Sequence, residues 1–228
     1  MLQAIKNITN IFFPKTCPGC NNYLDLSQHT LCLDCRHTLG ITNFHEDTEN
    51  ILARTLYGKC SIENATAMFI FKKESTVQHL IHNLKYKGQQ QVGTVLGAWY
   101  GDLLKDVHRF KNIDAIVPVP LHPRRKRQRG YNQVTTFAKE LSFALKIPLE
   151  EDILIRTRYT KTQTFKNRLL RQYKKEVFDV HPNNFRTPKH ILLVDDVITT
   201  GATIISCVKV LQKIPNVKVS VAAIAFTE

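Results

Sequence analysis

The apolar residues of this chain follow two rhythms. Residues 66–71, 113–117, 191–194 and 217–226 form short, mostly apolar runs. Runs of that length, rich in branched side chains, predict strands buried on both faces of a parallel sheet. Between them the spacing changes to three and four. Val77, Leu80, Ile81 and Leu84 lie on one helical face, as do Val92, Val95, Leu96, Trp99 and Leu103. Val134, Phe137, Ala138, Leu141 and Leu145 predict a third helix, and Ile204, Val208 and Leu211 a fourth. Residues 153–155 and 177–180 are two further short strands, and 217–226 is expected to close the sheet. Strands alternating with helices predict an α/β fold with a parallel sheet, flanking helices and right-handed crossovers.

The strand at 191–194 carries the chemistry. Ile191, Leu192, Leu193 and Val194 are followed by Asp195 and Asp196, then by Thr199, Thr200, Gly201, Ala202 and Thr203. Open α/β sheets bind ligands at the carboxyl ends of their strands. A small-residue loop leading into a helix N-terminus offers backbone N–H donors and a favourable dipole to a phosphate. The two carboxylates suit ribose hydroxyls or a magnesium ion. The loop is expected at the surface, where Gly201 would let the backbone approach a ligand closely. The order of these residues resembles the signature of type I phosphoribosyltransferases, which bind phosphoribosyl pyrophosphate (PRPP).

Cysteine spacing marks a second feature. Cys17 and Cys20 form one CxxC pair, and Cys32 and Cys35 another. Two such pairs across a short loop match a closed, structural zinc site with four cysteine ligands. His29, His37 and His45 lie nearby; they could replace a ligand, but they read as surface residues. Cys60 and Cys207 stand apart and read as packing residues. The resulting division is a zinc-ribbon module over residues 1–45, a linker over 46–60, and the α/β domain over 61–228.

Charge narrows the partners. The chain of 228 residues has 32 basic and 19 acidic side chains, a net charge of +13. Such an excess predicts an anionic partner, nucleic acid or a phosphorylated ligand. Arg124, Arg125, Lys126, Arg127 and Arg129 form a basic loop after the strand at 113–117. A second basic stretch runs from Arg156 through Arg158, Lys161, Lys166, Arg168, Arg171, Lys174 and Lys175 with no acidic residue between. Tyr131, Tyr159 and Tyr173 lie beside these cations and could stack on bases. No stretch approaches the ~20 apolar residues of a membrane span. Residues 1–13 lack a cleavage site and read as a short amphipathic helix. A cytoplasmic protein is expected, with its thiols reduced.

Taken in order, these pieces resemble the ComF family of competence proteins, with which GntX-like proteins are grouped. The carriers are the four cysteines, then residues 81–88 (Ile-His-Asn-Leu-Lys-Tyr-Lys-Gly), then 117–123 (Val-Pro-Val-Pro-Leu-His-Pro). Arg129-Gly130-Tyr131-Asn132-Gln133, Thr162-Gln163 and the PRPP-type signature complete the set. The chain departs at Tyr173 and Lys174, where the family often carries Asn-Val. The resemblance implies a zinc ribbon on a phosphoribosyltransferase-type domain and a role in DNA uptake during natural transformation. It implies single-stranded DNA as partner, a phosphoribosyl or nucleotide ligand, and contact with other DNA-uptake proteins. Asp195 and Asp196 are the expected catalytic residues, and 199–203 the phosphate loop. Lys85, Lys87, Arg124, Arg125, Arg129, Arg156, Arg168 and Arg171 are expected on pyrophosphate or DNA. Magnesium would accompany PRPP. The domain also looks like that of glutamine PRPP amidotransferases, in which a basic loop closes over pyrophosphate; residues 156–175 fall in the matching interval. The competing reading is an active phosphoribosyltransferase, a glycosyltransferase acting on a base or amine.

Overall fold

The computed structural model describes residues 15–25, 30–157, 177–181 and 188–228. Four parallel strands form the main sheet: β1 (Ala65–Ile70), β2 (Ala115–Pro118), β5 (His190–Ile198) and β6 (Lys218–Phe226). Their order is β1-β6-β5-β2. The expected α/β class is therefore observed, with one change of order. Strand β6 does not close the sheet but lies inside it, between β1 and β5. Burial explains this, because every residue of β6 after Lys218 is buried. Such a strand needs partners on both edges for its backbone groups.

Helices cover both faces. The first set is α3 (Thr76–Tyr86), α4 (Gln91–Leu104) and α6 (Gln133–Leu145). They pack on Met68, Leu192, Val194, Ala222 and Ile224. On the other face, α2 (Ile51–Leu56) and α7 (Ala202–Leu211) cover Ala67, Ile191, Leu193, Val221 and Ala223. Successive residues of β5 and β6 thus alternate between two cores, as a strand's period of two requires.

Close approach between α4 and α6 rests on a glycine stripe. Gly93, Gly97 and Gly101 recur every fourth residue on the face of α4 toward α6. A Cβ on Gly97 would sit 2.6 Å from the Phe137 carbonyl oxygen, and one on Gly101 2.5 Å from the Ala144 Cβ. The same packing stacks the buried Tyr100 ring on Phe137, while its hydroxyl meets Thr66 Oγ1 at 2.6 Å.

Two short segments depart from the predicted sheet. Strands β3 (Leu154–Arg156) and β4 (Phe178–Val180) pair antiparallel with each other. Their buried residues, Ile153, Leu154 and Phe178, pack in the core that contains Ile204, Cys207 and Val208 of α7. Runs of three residues carry too little periodicity to fix a sheet partner.

The stretch 46–60, expected as a linker, holds α2 instead. Asn50 caps this helix through its side-chain oxygen and donates to the Phe44, Asp47 and Ala65 carbonyls. Leu52 and Leu56 are fully buried. Ile41 and Thr42 pair with the outer edge of β1. The cysteine module is thus joined to the α/β core by packed chain. Its Cys17, Leu31, Cys35 and Leu39 share one hydrophobic cluster with Leu80 and Leu84 of α3. No helix among the described residues is long and apolar enough to cross a membrane. The amphipathic helix expected in residues 1–13 lies outside the described residues.

Gly97→Ala should lower stability by about 1–3 kcal/mol through overpacking, although alanine is the better helix former by about 1 kcal/mol. Gly40, with nothing within 4 Å of its added Cβ, is the control. Gly40→Ala should shift stability by less than about 0.5 kcal/mol. Urea denaturation compares the two; equal midpoints would show that α4 and α6 separate without cost.

Candidate functional site

Strand β5 runs on past its apolar core through both aspartates, so Asp195 still pairs in register with Ala223 of β6. The carboxylates are therefore held on a strand and not on a loop. Asp195 Oδ1 accepts the Asp196 N–H at 2.8 Å. Asp196 Oδ1 lies 2.7 Å from Lys85 Nζ, with both side chains largely buried. Lys85 comes from the last turn of α3. Burial, then the charge of Asp196, push the Asp195 carboxyl up to about 7, against the pull of Lys85 and Arg156.

The phosphate-loop candidates divide. Gly201 caps α7 with φ +75°, a left-handed conformation that favours glycine. It is not at the surface, as expected from sequence, but buried beneath α2. An added Cβ would lie 2.7 Å from Leu56 Cδ2. Gly201→Val would strain the fold itself, which makes it a poor probe of ligand binding. Thr199, Thr200, Ala202 and Thr203 are exposed, and Thr203 lines the cavity beside the aspartates.

The basic run at 124–129 forms a short helix, α5 (Pro123–Arg129), in place of the expected loop. Pro123 sits in its first turn, His122 Nδ1 accepts the Arg124 N–H, and Gly130 ends it at φ +81°. Helical spacing then sorts the cations. Arg125, Gln128 and Arg129, at i, i+3 and i+4, face the cavity. Arg129 donates from Nη1 to Gln133 Oε1 at 2.7 Å. Gln133 is fully buried and donates in turn to the Tyr131 carbonyl. The Tyr131 hydroxyl donates to the Leu84 carbonyl at 2.5 Å, tying α6 to the end of α3. Asn132 caps α6 and bonds the Val119 carbonyl.

These elements enclose a cavity of about 600 Å³ at the carboxyl edge of the sheet. Lys85, Arg125, Arg129 and Arg156 line it together with Asp195 and Asp196. Burial, then the like charge of Arg125, draw the Arg156 guanidinium below its ordinary range. The cavity therefore favours an anion that also presents hydroxyls or a cation to the carboxylates. Lys87 and Arg124 do not line it. Arg168, Arg171, Thr162, Gln163, Tyr159, Tyr173 and Lys174 lie outside the described residues. Sequence reasoning missed Gln128 and Gln133 as holders of this wall. It also passed over Tyr86, whose flanking lysines were the available signal.

The four paired cysteines meet as a group. Their Sγ atoms all lie within 4.8 Å of one another, close enough to hold a metal ion. Cys20 Sγ and Cys32 Sγ are 3.7 Å apart. That matches the edge of about 3.8 Å of a tetrahedron with zinc–sulfur bonds of ~2.3 Å. Cys17, on the hairpin that pairs Thr16 with Tyr23, accepts the Cys32 N–H. Cys32 caps α1 (Leu33–Thr38) and accepts the Cys35 N–H. Against burial, such donors draw the Cys17 thiol down to about 7, whereas burial pushes the Cys32 and Cys35 thiols up. Among the described residues this is the group of metal-ligand type, and it includes neither His37 nor His45. Cys207 is buried and Cys60 half-buried, as packing residues should be. The knuckle leans on α3: Asn83 Nδ2 donates to the Pro18 carbonyl at 2.6 Å, and His79 Nδ1 meets the Gly19 carbonyl at 2.9 Å.

A parallel sheet with paired carboxylates on its interior strand, a glycine-capped helix after them and a four-cysteine module in front define a phosphoribosyltransferase-type protein with a small metal-ribbon module. Residues 134–226 match the phosphoribosyl transferase domain. Competence protein F of Haemophilus influenzae is 29% identical over 226 residues, covering 94% of this chain and 98% of that protein. DNA utilization protein YhgH of Escherichia coli O157:H7 is 33% identical over 141 residues, 59% of this chain and 60% of that one. Competence protein ComFC of Streptococcus pneumoniae is 27% identical over 191 residues, 80% and 81% of the two chains. Over nearly its whole length the chain is similar to competence proteins, and its C-terminal part is similar to the phosphoribosyl transferase domain.

The raised Asp195 carboxyl fixes the sign of a pH effect. The native state keeps a proton that the unfolded chain gives up between the ordinary value of 3.8 and about 7. Stability from this group is therefore full at low pH and is lost as pH rises toward 7. Asp195→Asn removes that loss. In magnesium-free buffer it should stabilise the protein at pH 8 relative to pH 5, by on the order of 1 kcal/mol. Thermal melts at both pH values check this; an equal effect at each would mean that Asp195 titrates normally.

Proposed function

We propose that this protein takes part in DNA uptake, binding single-stranded DNA with its basic surface and a phosphoribosyl or nucleotide ligand in the cavity beside Asp195 and Asp196. The observation that carries the reading is that cavity, lined by two carboxylates and four cations at the mouth of a parallel sheet. Thr203 and the first N–H groups of α7 hold the ligand's phosphate, since a helix N-terminus offers unpaired donors there. Asp195 and Asp196 orient the ribose hydroxyls, and Lys85 fixes the direction of Asp196. Arg125, Arg129 and Arg156 balance a pyrophosphate. Magnesium, held by the two aspartates, would neutralise part of that charge. The names of the relatives, competence and DNA utilization proteins, support the DNA role. In this reading the protein works in the cytoplasm beside other DNA-uptake proteins.

The second reading is an active phosphoribosyltransferase. It is favoured by the cations facing the carboxylates, where they would stabilise departing pyrophosphate. An acceptor base or amine is required, and release of pyrophosphate on adding one to protein and PRPP separates the readings.

Calorimetry with ribose 5-phosphate and PRPP tests the cavity. Wild type should bind both. Thr203→Val should weaken phosphate binding, and Asp195→Asn with Asp196→Asn should weaken ribose recognition. No heat with either ligand would remove the pocket from the reading. For DNA, affinity should fall steeply with salt, with a log–log slope of about −0.7 per phosphate neutralised. Arg124→Glu with Arg127→Glu, on the exposed face of α5, should flatten that slope. A salt-independent affinity would sink the electrostatic account.

The four cysteines would hold one zinc ion, which closes the module without taking part in chemistry. Folding of so small a segment then draws on metal binding, worth about 10 kcal/mol or more for structural zinc. Cys17→Ser should lose stoichiometric metal in elemental analysis and expose residues 15–40 to protease. Full metal and full protection in that variant would refute the assignment.

A further inference from the structure

The cavity wall contains one aromatic ring that the phosphoribosyl reading leaves without work. Tyr86 ends α3, directly after Lys85, and lines the same cavity as Asp195, Asp196 and Thr203. It is 64% exposed, so its ring contributes little to the core. A single exposed aromatic is unremarkable on its own. Here two further contacts give it a fixed setting. The Arg129 guanidinium lies 4.9 Å from the ring centroid, and the buried Gln133 anchors that guanidinium through the 2.7 Å hydrogen bond. One turn back on α3, the His82 ring stands 5.0 Å away, tilted by 45°. The ring is thus oriented by neighbours while most of its surface faces solvent at the cavity mouth.

The rest of the cavity is suited to other chemistry. Its cations and carboxylates match phosphate and ribose, and neither of those groups uses an aromatic face. A planar heterocycle does. Stacking on an aromatic side chain is tolerant of base identity, because every base has a π face. The Arg129 guanidinium lies over one face of the ring, so a base stacks on the remaining face or on the guanidinium plane itself.

We infer that Tyr86 is the base-stacking residue of this cavity, so that the preferred ligand is a nucleotide, base included, and not a bare sugar phosphate. The inference rests on the phosphoribosyl reading and adds the chemical class of ligand. The base belongs either to a free nucleotide or to a nucleotide of a DNA strand. Both present the same ring to Tyr86.

Calorimetry with ribose 5-phosphate, AMP and a short 5′-phosphorylated oligo(dA) tests this on wild type, Tyr86→Phe and Tyr86→Leu. Wild type should bind AMP about tenfold more tightly than ribose 5-phosphate, within the range of one base stack. Tyr86→Leu should lose that gain and keep its affinity for ribose 5-phosphate, which also shows that the variant is folded. Tyr86→Phe should retain the gain. Loss of oligonucleotide affinity in Tyr86→Leu assigns the platform to a strand. Loss for AMP alone assigns it to a free nucleotide. Either loss supports the inference. If wild type binds ribose 5-phosphate and the base adds nothing, the inference fails while the phosphoribosyl reading stands. Retention of the full gain by Tyr86→Leu overturns it equally. If none of the three ligands binds, both fall.

Discussion

Two adjacent carboxylates at the end of a strand buried on both faces are the constraint around which this protein is arranged. Burying one charge is costly, and burying two of like sign beside each other costs more. The burden shows in Asp195, whose carboxyl is pushed up to about 7. The fold answers by bringing cations from separate elements to one point. Lys85 arrives on α3, Arg156 on β3, and Arg125 and Arg129 on α5. Each of those elements must hold its place for the carboxylates to meet balancing charge.

This requirement explains why the cysteine module is packed against the α/β core. Lys85 can reach Asp196 only if the last turn of α3 is fixed. Three contacts fix it. Asn83 and His79 bond the Pro18 and Gly19 carbonyls in the cysteine knuckle, and Tyr131 bonds the Leu84 carbonyl. The knuckle has no room to shift, since a Cβ on Gly19 would lie 2.8 Å from Thr76 Cγ2 and 2.9 Å from Cys35 Sγ. A module that looks separate in sequence is therefore a buttress for the helix that carries the lysine.

What was legible in the sequence was local in origin. Continuous apolar runs marked β1, β2, β5 and β6, and helical spacing marked α3, α4, α6 and α7. The CxxC pairs brought four thiols together without further information. The parts that were not legible depend on contacts far apart in the chain. Strands β3 and β4 chose each other over the main sheet, which three-residue runs cannot announce. Leu52 and Leu56 sit among acidic and polar residues that read as a linker, yet their burial against the sheet makes α2 a core helix. The burial of Gly201 is visible only once Leu56 lies over it. The glycines of α4 gain their use only from α6 pressed against them.

The basic run at 124–129 shows how one such difference alters function. As a loop, five cations would have formed one undivided patch. As a helix they separate. Arg125 and Arg129 turn into the cavity, while Arg124 does not line it. In the proposed function a single short helix then serves two anions, one face supplying fixed charge to the pocket and the other adding to the surface field for a nucleic acid. Helical spacing, not the number of arginines, sets that division. Moving a cation by two positions along α5 would transfer its charge from one ligand to the other with no change in net charge.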